Sequence, residues 1–155
     1  MLTRGINHVA ILTKDTDRLH AFYRDIFEAE VFADMPLGDS GGRLSIIRLG
    51  DYVELNVFEW PGNAEADRHT PMFGRGPIDH LGIEAADKES FEEIRRRLIA
   101  CGAADSFVTD FGIGYSVFFV DPDGLECEVA LSFPGKTAAD MHPPGTPATE
   151  YVTAD

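Results

Sequence analysis

The chain has 155 residues, 44% of them apolar, which is enough for one domain or two small fused modules around a real core. Lys and Arg number 13 against 27 Asp and Glu, and the formal charge of −14 argues against nucleic acid and anionic membrane surfaces as partners. No apolar run reaches the roughly 20 residues of a membrane span, and the start at Met1-Leu2-Thr3-Arg4 lacks the apolar stretch of a signal peptide, so a cytoplasmic location is expected.

The first element is a strand over Ile6-Asn7-His8-Val9-Ala10-Ile11, a short run rich in β-branched residues. Leu19, Phe22, Tyr23, Ile26 and Phe27 then recur at helical spacing, with Asp15, Thr16 or Asp17 placed to cap the start. Three strands are expected next, at Glu30–Ala33, Arg43–Leu49 and Tyr52–Phe58, the last two joined by a tight turn at Gly50-Asp51. A connecting stretch with Trp60, Pro61, Gly62, Pro71 and Gly74 follows, long enough to act as a lid or entrance loop.

The pattern then starts again. Ile78-Asp79-His80-Leu81-Gly82-Ile83 repeats the first strand 72 residues on, the difference between positions 80 and 8. Phe91, Ile94, Leu98 and Ile99 form a second helical stripe, with Asp87 as its cap and Gly102 at its stop. Strands are expected at Asp105–Thr109, Tyr115–Val120 and Glu126–Ser132, the last two joined by the turn Asp121-Pro122-Asp123-Gly124. Each half therefore reads βαβββ. The organisation is one domain, 1–155, with module one at 1–60, a linker loop at 61–75, module two at 76–133 and an extended or partly disordered tail at 134–155. Cys101 and Cys127 lie outside any CxxC pair and are expected as buried apolar thiols.

Strand alternation separates the chemistry from the core. Val53, Leu55 and Val57 share one face, and Tyr52, Glu54 and Asn56 the other; Cys127, Val129 and Leu131 oppose Glu126, Glu128 and Ala130. Each half thus offers a His on its first strand and a Glu on its last, at offsets of 46 (54 − 8) and 48 (128 − 80). A mid-strand carboxylate among apolar residues is costly unless paired or metal-bound. One such His or Glu alone is ordinary, whereas His8, Glu54, His80 and Glu128 in repeat-related positions point to one divalent-metal site. Two imidazoles and two carboxylates suit zinc, nickel, cobalt, manganese or iron(II). Open positions on such an ion would take two adjacent substrate oxygens and polarise a carbonyl. Glu126 is the ligand only if the register slips. Tyr52, Asn56, Trp60 and Phe118 are candidates for a cavity wall, and His20, His69 and His142 for bystanders.

These residues resemble the vicinal oxygen chelate superfamily of glyoxalase I, methylmalonyl-CoA epimerase, extradiol dioxygenases and the bleomycin and fosfomycin resistance proteins. The matching pieces are His8-Val9-Ala10-Ile11 with Ala21-Phe22-Tyr23, then Asp79-His80-Leu81-Gly82-Ile83, then Asp121-Pro122-Asp123-Gly124 with Glu128 four residues past the Gly. The resemblance spans about residues 5–132 and implies an α+β fold of two paired βαβββ modules, a curved, cup-like mixed sheet around a metal site with helices outside. A His-Glu-His-Glu set is similar to that of glyoxalase I. It implies a metal-dependent lyase or isomerase that acts on a small α-oxo or enediolate-forming substrate by metal-assisted proton transfer, with Glu128, and alternatively Glu54, moving the proton. A low-molecular-weight thiol as co-substrate and a homodimer are implied too.

Two alternatives stand beside it. An iron(II) extradiol dioxygenase would use His8, His80 and Glu128, but Phe118 occupies the place of its Tyr and 107–114 contains no His. A non-catalytic binder of the antibiotic-sequestering kind would have an aromatic cavity. Glyoxalase I also has a Leu-Gly step after its first helix where this chain has Phe27-Glu28. Arg43, Arg48, Arg68 and Arg75 are the candidates for holding an anionic substrate group.

Overall fold

The computed structural model describes residues 2–3, 5–68, 70–71, 73–74 and 78–151. They form two compact units, one of Met1–His69 with Pro122–Gly124, the other of Thr70–Asp121 with Leu125–Asp155. Each unit carries one four-stranded sheet and one α-helix in βαβββ order.

In the first unit, β1 (His8–Thr13), β2 (Glu30–Pro36), β3 (Arg43–Arg48) and β4 (Glu54–Glu59) lie in the order β1-β4-β3-β2, with β1 and β4 parallel. Helix α1 (Thr16–Phe27) starts where the Asp15 side chain accepts from the Arg18 amide. It buries Leu19, Tyr23 and Ile26 on the sheet face carrying Ile47, Leu55 and Val57, at about 1.5–3 kcal/mol for each large apolar side chain. Helix α1 ends at Glu28, which takes a left-handed φ of 55° while its amide bonds back to Arg24 and Tyr23. A side chain thus sits where glycine is the usual solution, at a cost of about 1–2 kcal/mol.

In the second unit, β5 (Leu81–Glu84), β6 (Thr109–Asp110), β7 (Gly114–Val120) and β8 (Glu126–Ser132) lie in the order β5-β8-β7-β6. Helix α2 (Lys88–Ala100) is capped by Asp87 and buries Phe91 and Leu98 on the side of Val117, Phe119, Cys127 and Val129. The turn into β8 closes with the Asp121 amide donating to the Leu125 carbonyl and the Leu125 amide to the Asp121 carboxylate.

Several boundaries differ from expectation. The strand expected at Glu30–Ala33 continues to Pro36, because Met35 and Pro36 pair with Leu44 and Arg43 across a bulge at Val31/Ala33. The strand expected at Asp105–Thr109 shrinks to Thr109–Asp110, since the Asp105 carboxylate caps the Phe107 amide in a local turn. Tyr52 lies before β4 and is exposed. Cys101 is exposed at the C-cap just past α2, while Cys127 is buried as expected. In the linker, Ala64–Asp67 forms a short 3-10 turn. His69 and Arg75 fall outside the described residues.

The tail is packed rather than loose through residue 151. Pro147 bridges Thr109, the Ala148 amide donates to the Val108 carbonyl, and Ala148 is fully buried. The Tyr151 hydroxyl donates to Glu92 at 2.5 Å, and its ring meets Phe91 and Tyr115 edge-on. Burial and the Glu92 carboxylate push that hydroxyl's pKa up. Among the described residues no helix is long and apolar enough to cross a membrane.

Candidate metal centre

Parallel pairing of β1 with β4 places His8 directly across from Glu54, so both side chains leave the same sheet face, away from α1. Glu54 accepts from Arg48 Nε at 3.3 Å, and the same guanidinium reaches Glu30 at 3.2 Å and covers the Phe32 ring. His8 Nδ1 lies 2.9 Å from Asn7 Oδ1.

The second unit repeats the theme with a shift. Glu128 faces Gly82 on β5, and His80 sits two residues earlier, just before the strand begins. That two-residue shift is the difference between the sequence offsets of 46 and 48. His80 nonetheless reaches along the strand, bringing Nε2 to 3.2 Å from Glu128 Oε2. Glu126 pairs with Val120, and Glu128, not Glu126, meets His80. The other Glu128 oxygen accepts from the Ser116 hydroxyl. Phe118, opposite Glu128, meets the His80 ring edge-on at 5.9 Å. A cleft of about 140 Å³ opens onto Glu128 between Ser116, Tyr115, Phe111 and Ala130.

Both histidines are held the same way. Asn7 and Asp79, each the residue immediately before its His, present a side-chain oxygen 2.9 Å from Nδ1. An acceptor there fixes the proton on Nδ1 and turns the Nε2 lone pair outward, the arrangement in which imidazole binds a metal. His80 Nε2 and Glu128 Oε2 then confront each other as two electron-pair donors, which only a shared proton or a cation reconciles. This donor set fits a divalent ion. Among the described residues no group of three or more His, Cys, Asp or Glu side chains is gathered within reach of one ion, so in each unit the donors come as a pair.

Ser116, Asn7 and Asp79 were not among the residues singled out from sequence. The signal for Asn7 and Asp79 is the side-chain oxygen preceding His in both repeat copies. The signal for Ser116 is alternation, which places Ser116 and Phe118 on the Glu128 face of β7. Three of the four arginines proposed for an anionic group are tied to carboxylates: Arg43 to Asp17 and Asp34, Arg48 to Glu30 and Glu54, and Arg68 to Glu65. The Arg43 guanidinium also holds the Asp34 carboxyl below its ordinary pKa. His20 is buried, with Nε2 2.6 Å from Ser45 Oγ, and His142 lies 3.4 Å from Asp110.

Residues 5–129 match the family model of the Glyoxalase/Bleomycin resistance protein/Dioxygenase superfamily. A glyoxylase/bleomycin resistance protein/dioxygenase domain from Frankia sp. EAN1pec is 22% identical, the match covering 86% of this chain and 96% of that one, with a TM-score of 0.68. A lactoylglutathione lyase from Agrobacterium tumefaciens is 25% identical, with 84% and 96% covered and a TM-score of 0.55. The fosfomycin resistance protein FosX from Listeria monocytogenes, solved with Mn(II) and sulfate, is 18% identical, with 90% and 98% covered and a TM-score of 0.60. No curated protein matches the chain by sequence.

Proposed function

Because the chain belongs to the glyoxalase/bleomycin resistance protein/dioxygenase superfamily, we propose that it is a metal-dependent, glyoxalase-I-like lyase or isomerase acting on a small α-oxo or enediolate-forming substrate. The metal ligands are His8 and Glu54 in one unit and His80 and Glu128 in the other. When bound, a divalent ion supplies Lewis-acid polarisation of a substrate carbonyl. The reading is carried by one observation: in both units a His with its Nδ1 side occupied by an oxygen stands beside a Glu on the open sheet face.

Each residue has a role in that chemistry. Asn7 and Asp79 keep the Nε2 lone pairs turned outward. Arg48 ties down Glu54 through one oxygen. Glu128 is the proton carrier: Ser116 steadies one of its oxygens, and the other takes a proton from one substrate carbon and returns it to the neighbouring one. The pairing of Arg43, Arg48 and Arg68 with carboxylates favours a small substrate over a multiply anionic one. A low-molecular-weight thiol serves as co-substrate, the protein works as a homodimer in the cytoplasm, and the lead metals are manganese, nickel, zinc, cobalt and iron(II). Support for a divalent ion comes also from the Mn(II) bound to FosX.

Elemental analysis of purified protein tests this. Near-stoichiometric divalent metal is expected in the wild type, with loss in His80→Ala and Glu128→Gln. Metal-loaded protein is then assayed with methylglyoxal and phenylglyoxal plus several thiols. Metal-free protein that gains no turnover on loading would sink the proposal.

A further inference from the structure

The family match ends at residue 129, yet the chain runs on past β8 and folds back onto its own unit. Backbone contacts dock this tail on β6 and on the turn that follows it. The Ala148 amide donates to the Val108 carbonyl at 2.9 Å, and the Asp110 amide donates to the Thr146 carbonyl at 2.7 Å. Further along, the His142 amide donates to the Phe111 carbonyl at 2.8 Å. The Asp140 carbonyl lies so close to Gly112 that a Cβ there would collide with it.

The turn gripped by the tail is a wall of the Glu128 cleft. Phe111 and Ile113 line that cleft together with Ser116, Glu128, Ala130 and Leu131. Both lie in the turn 111–113, between β6 and β7 and outside either strand. The turn is tied from within by the Phe111 amide to the Gly114 carbonyl and the Gly112 amide to the Asp110 carboxylate. The Phe111 carbonyl is taken by the tail. The cleft measures about 140 Å³, and an apolar cavity of ~150 Å³ takes up benzene. A turn held only from within would give way to a larger group. With the tail packed on its outer side, moving the wall means moving the tail as well.

We propose that the tail, 137–148, is the specificity-determining segment of the Glu128 site. By clamping Phe111 and Ile113 it limits the ligand group beside Glu128 to an apolar one no larger than a phenyl ring. The inference rests on the function proposed above for what the cleft serves, and adds the size and polarity of the substrate's non-reacting end. The tail itself touches no ligand; it positions the wall that does.

The test uses metal-free protein and three amidinium ions: acetamidine, benzamidine and 2-naphthamidine. All three bring the same cation to the Glu128 carboxylate and differ only in the group that must fit the cleft. Binding is followed by amide shifts of residues 111–116 and 128–131. The wild type is expected to bind benzamidine about tenfold more tightly than 2-naphthamidine, the scale of forcing an oversized group into a packed site. Two variants release the tail without altering a lining residue. Ala148→Glu places a charge in the fully buried contact with β6, and His142→Pro removes the amide that holds Phe111. In both, the preference for benzamidine disappears while acetamidine binds as before; Ala148→Ser keeps the wild-type ratio. Should Ala148→Glu not fold, His142→Pro alone decides. The proposal is overturned if none of the ions shifts residues 111–116, if the wild type shows no preference, or if the tail variants keep it. The assay contains no metal, so a failure of the lyase reading in the elemental and turnover measurements would leave this result standing, and the reverse holds too.

Discussion

Replacing Ser116 by alanine tests the link between sheet geometry and metal affinity. Ser116 is 3% exposed and donates to one oxygen of Glu128, whose side chain is 18% exposed. A hydrogen bond to a charged group in such a shielded place contributes about 1.5–3 kcal/mol. Ser116→Ala keeps the β7 backbone and leaves that oxygen facing a methyl group. A loss near 2 kcal/mol lowers the melting temperature of a chain this size by about 4–8 °C. The metal effect is separate: a ligand carboxylate freed from the group that orients it loses roughly 10- to 100-fold in affinity. Isothermal titration of demetallated wild type and variant with Mn(II), beside thermal unfolding of both, measures the two effects. Unchanged Mn(II) affinity would show that Ser116 does not position a ligand and would refute the role given to it. A thermostability loss alone would leave Ser116 a core residue.

Two further outcomes concern the scaffold. His20 is held neutral between α1 and β3: the Ser45 hydroxyl donates to the Ala33 carbonyl and so accepts from His20 Nε2. Burial lowers its pKa below the ordinary value of 6.5, against the opposing pull of Asp34 and with Arg43 and Arg24 adding to the drop. The unfolded state therefore binds the proton more readily, so this stability is complete above about pH 6.5 and is lost as pH falls towards the lower folded value. Melting temperatures from pH 7.5 to 5 should fall more steeply in the wild type than in His20→Gln; equal slopes would contradict the assignment. Gly112 has a φ of 74°, and a Cβ there would lie 2.0 Å from the Asp140 carbonyl oxygen. Gly112→Ala should displace the tail and cost several kcal/mol, from left-handed strain plus a backbone clash, seen as faster proteolysis after residue 134; wild-type protection in the variant would count against it.

Sequence repetition carried the fold far because each element depends on local pattern. Leu19, Tyr23 and Ile26 on one helical stripe, Asp15 and Asp87 as caps, and the Asp121–Gly124 turn all act within a few residues, so they are legible without a structure. The same holds for the faces of β4 and β8, since alternation has a period of two. Boundaries set by partners were not legible. Nothing local extends β2 to Pro36; β3 does, by pairing with it. Nothing local orders the Pro-rich tail; the Val108 carbonyl, Thr109 and Glu92 do.

The four proposed ligands divide the same way. The sequence by itself determined that a His and a Glu recur in both halves and that each Glu faces away from the core, because residue type and strand period are properties of the chain. Only the tertiary structure decided that His8 faces Glu54 in register while His80 stands two residues off it and still reaches Glu128. It also decided that Arg48 is tied to Glu54 and that Ser116 holds Glu128. The register of β1 on β4 and of β5 on β8 arises from hydrogen bonds between segments 46 residues apart, and no local pattern encodes which residue meets which across that distance.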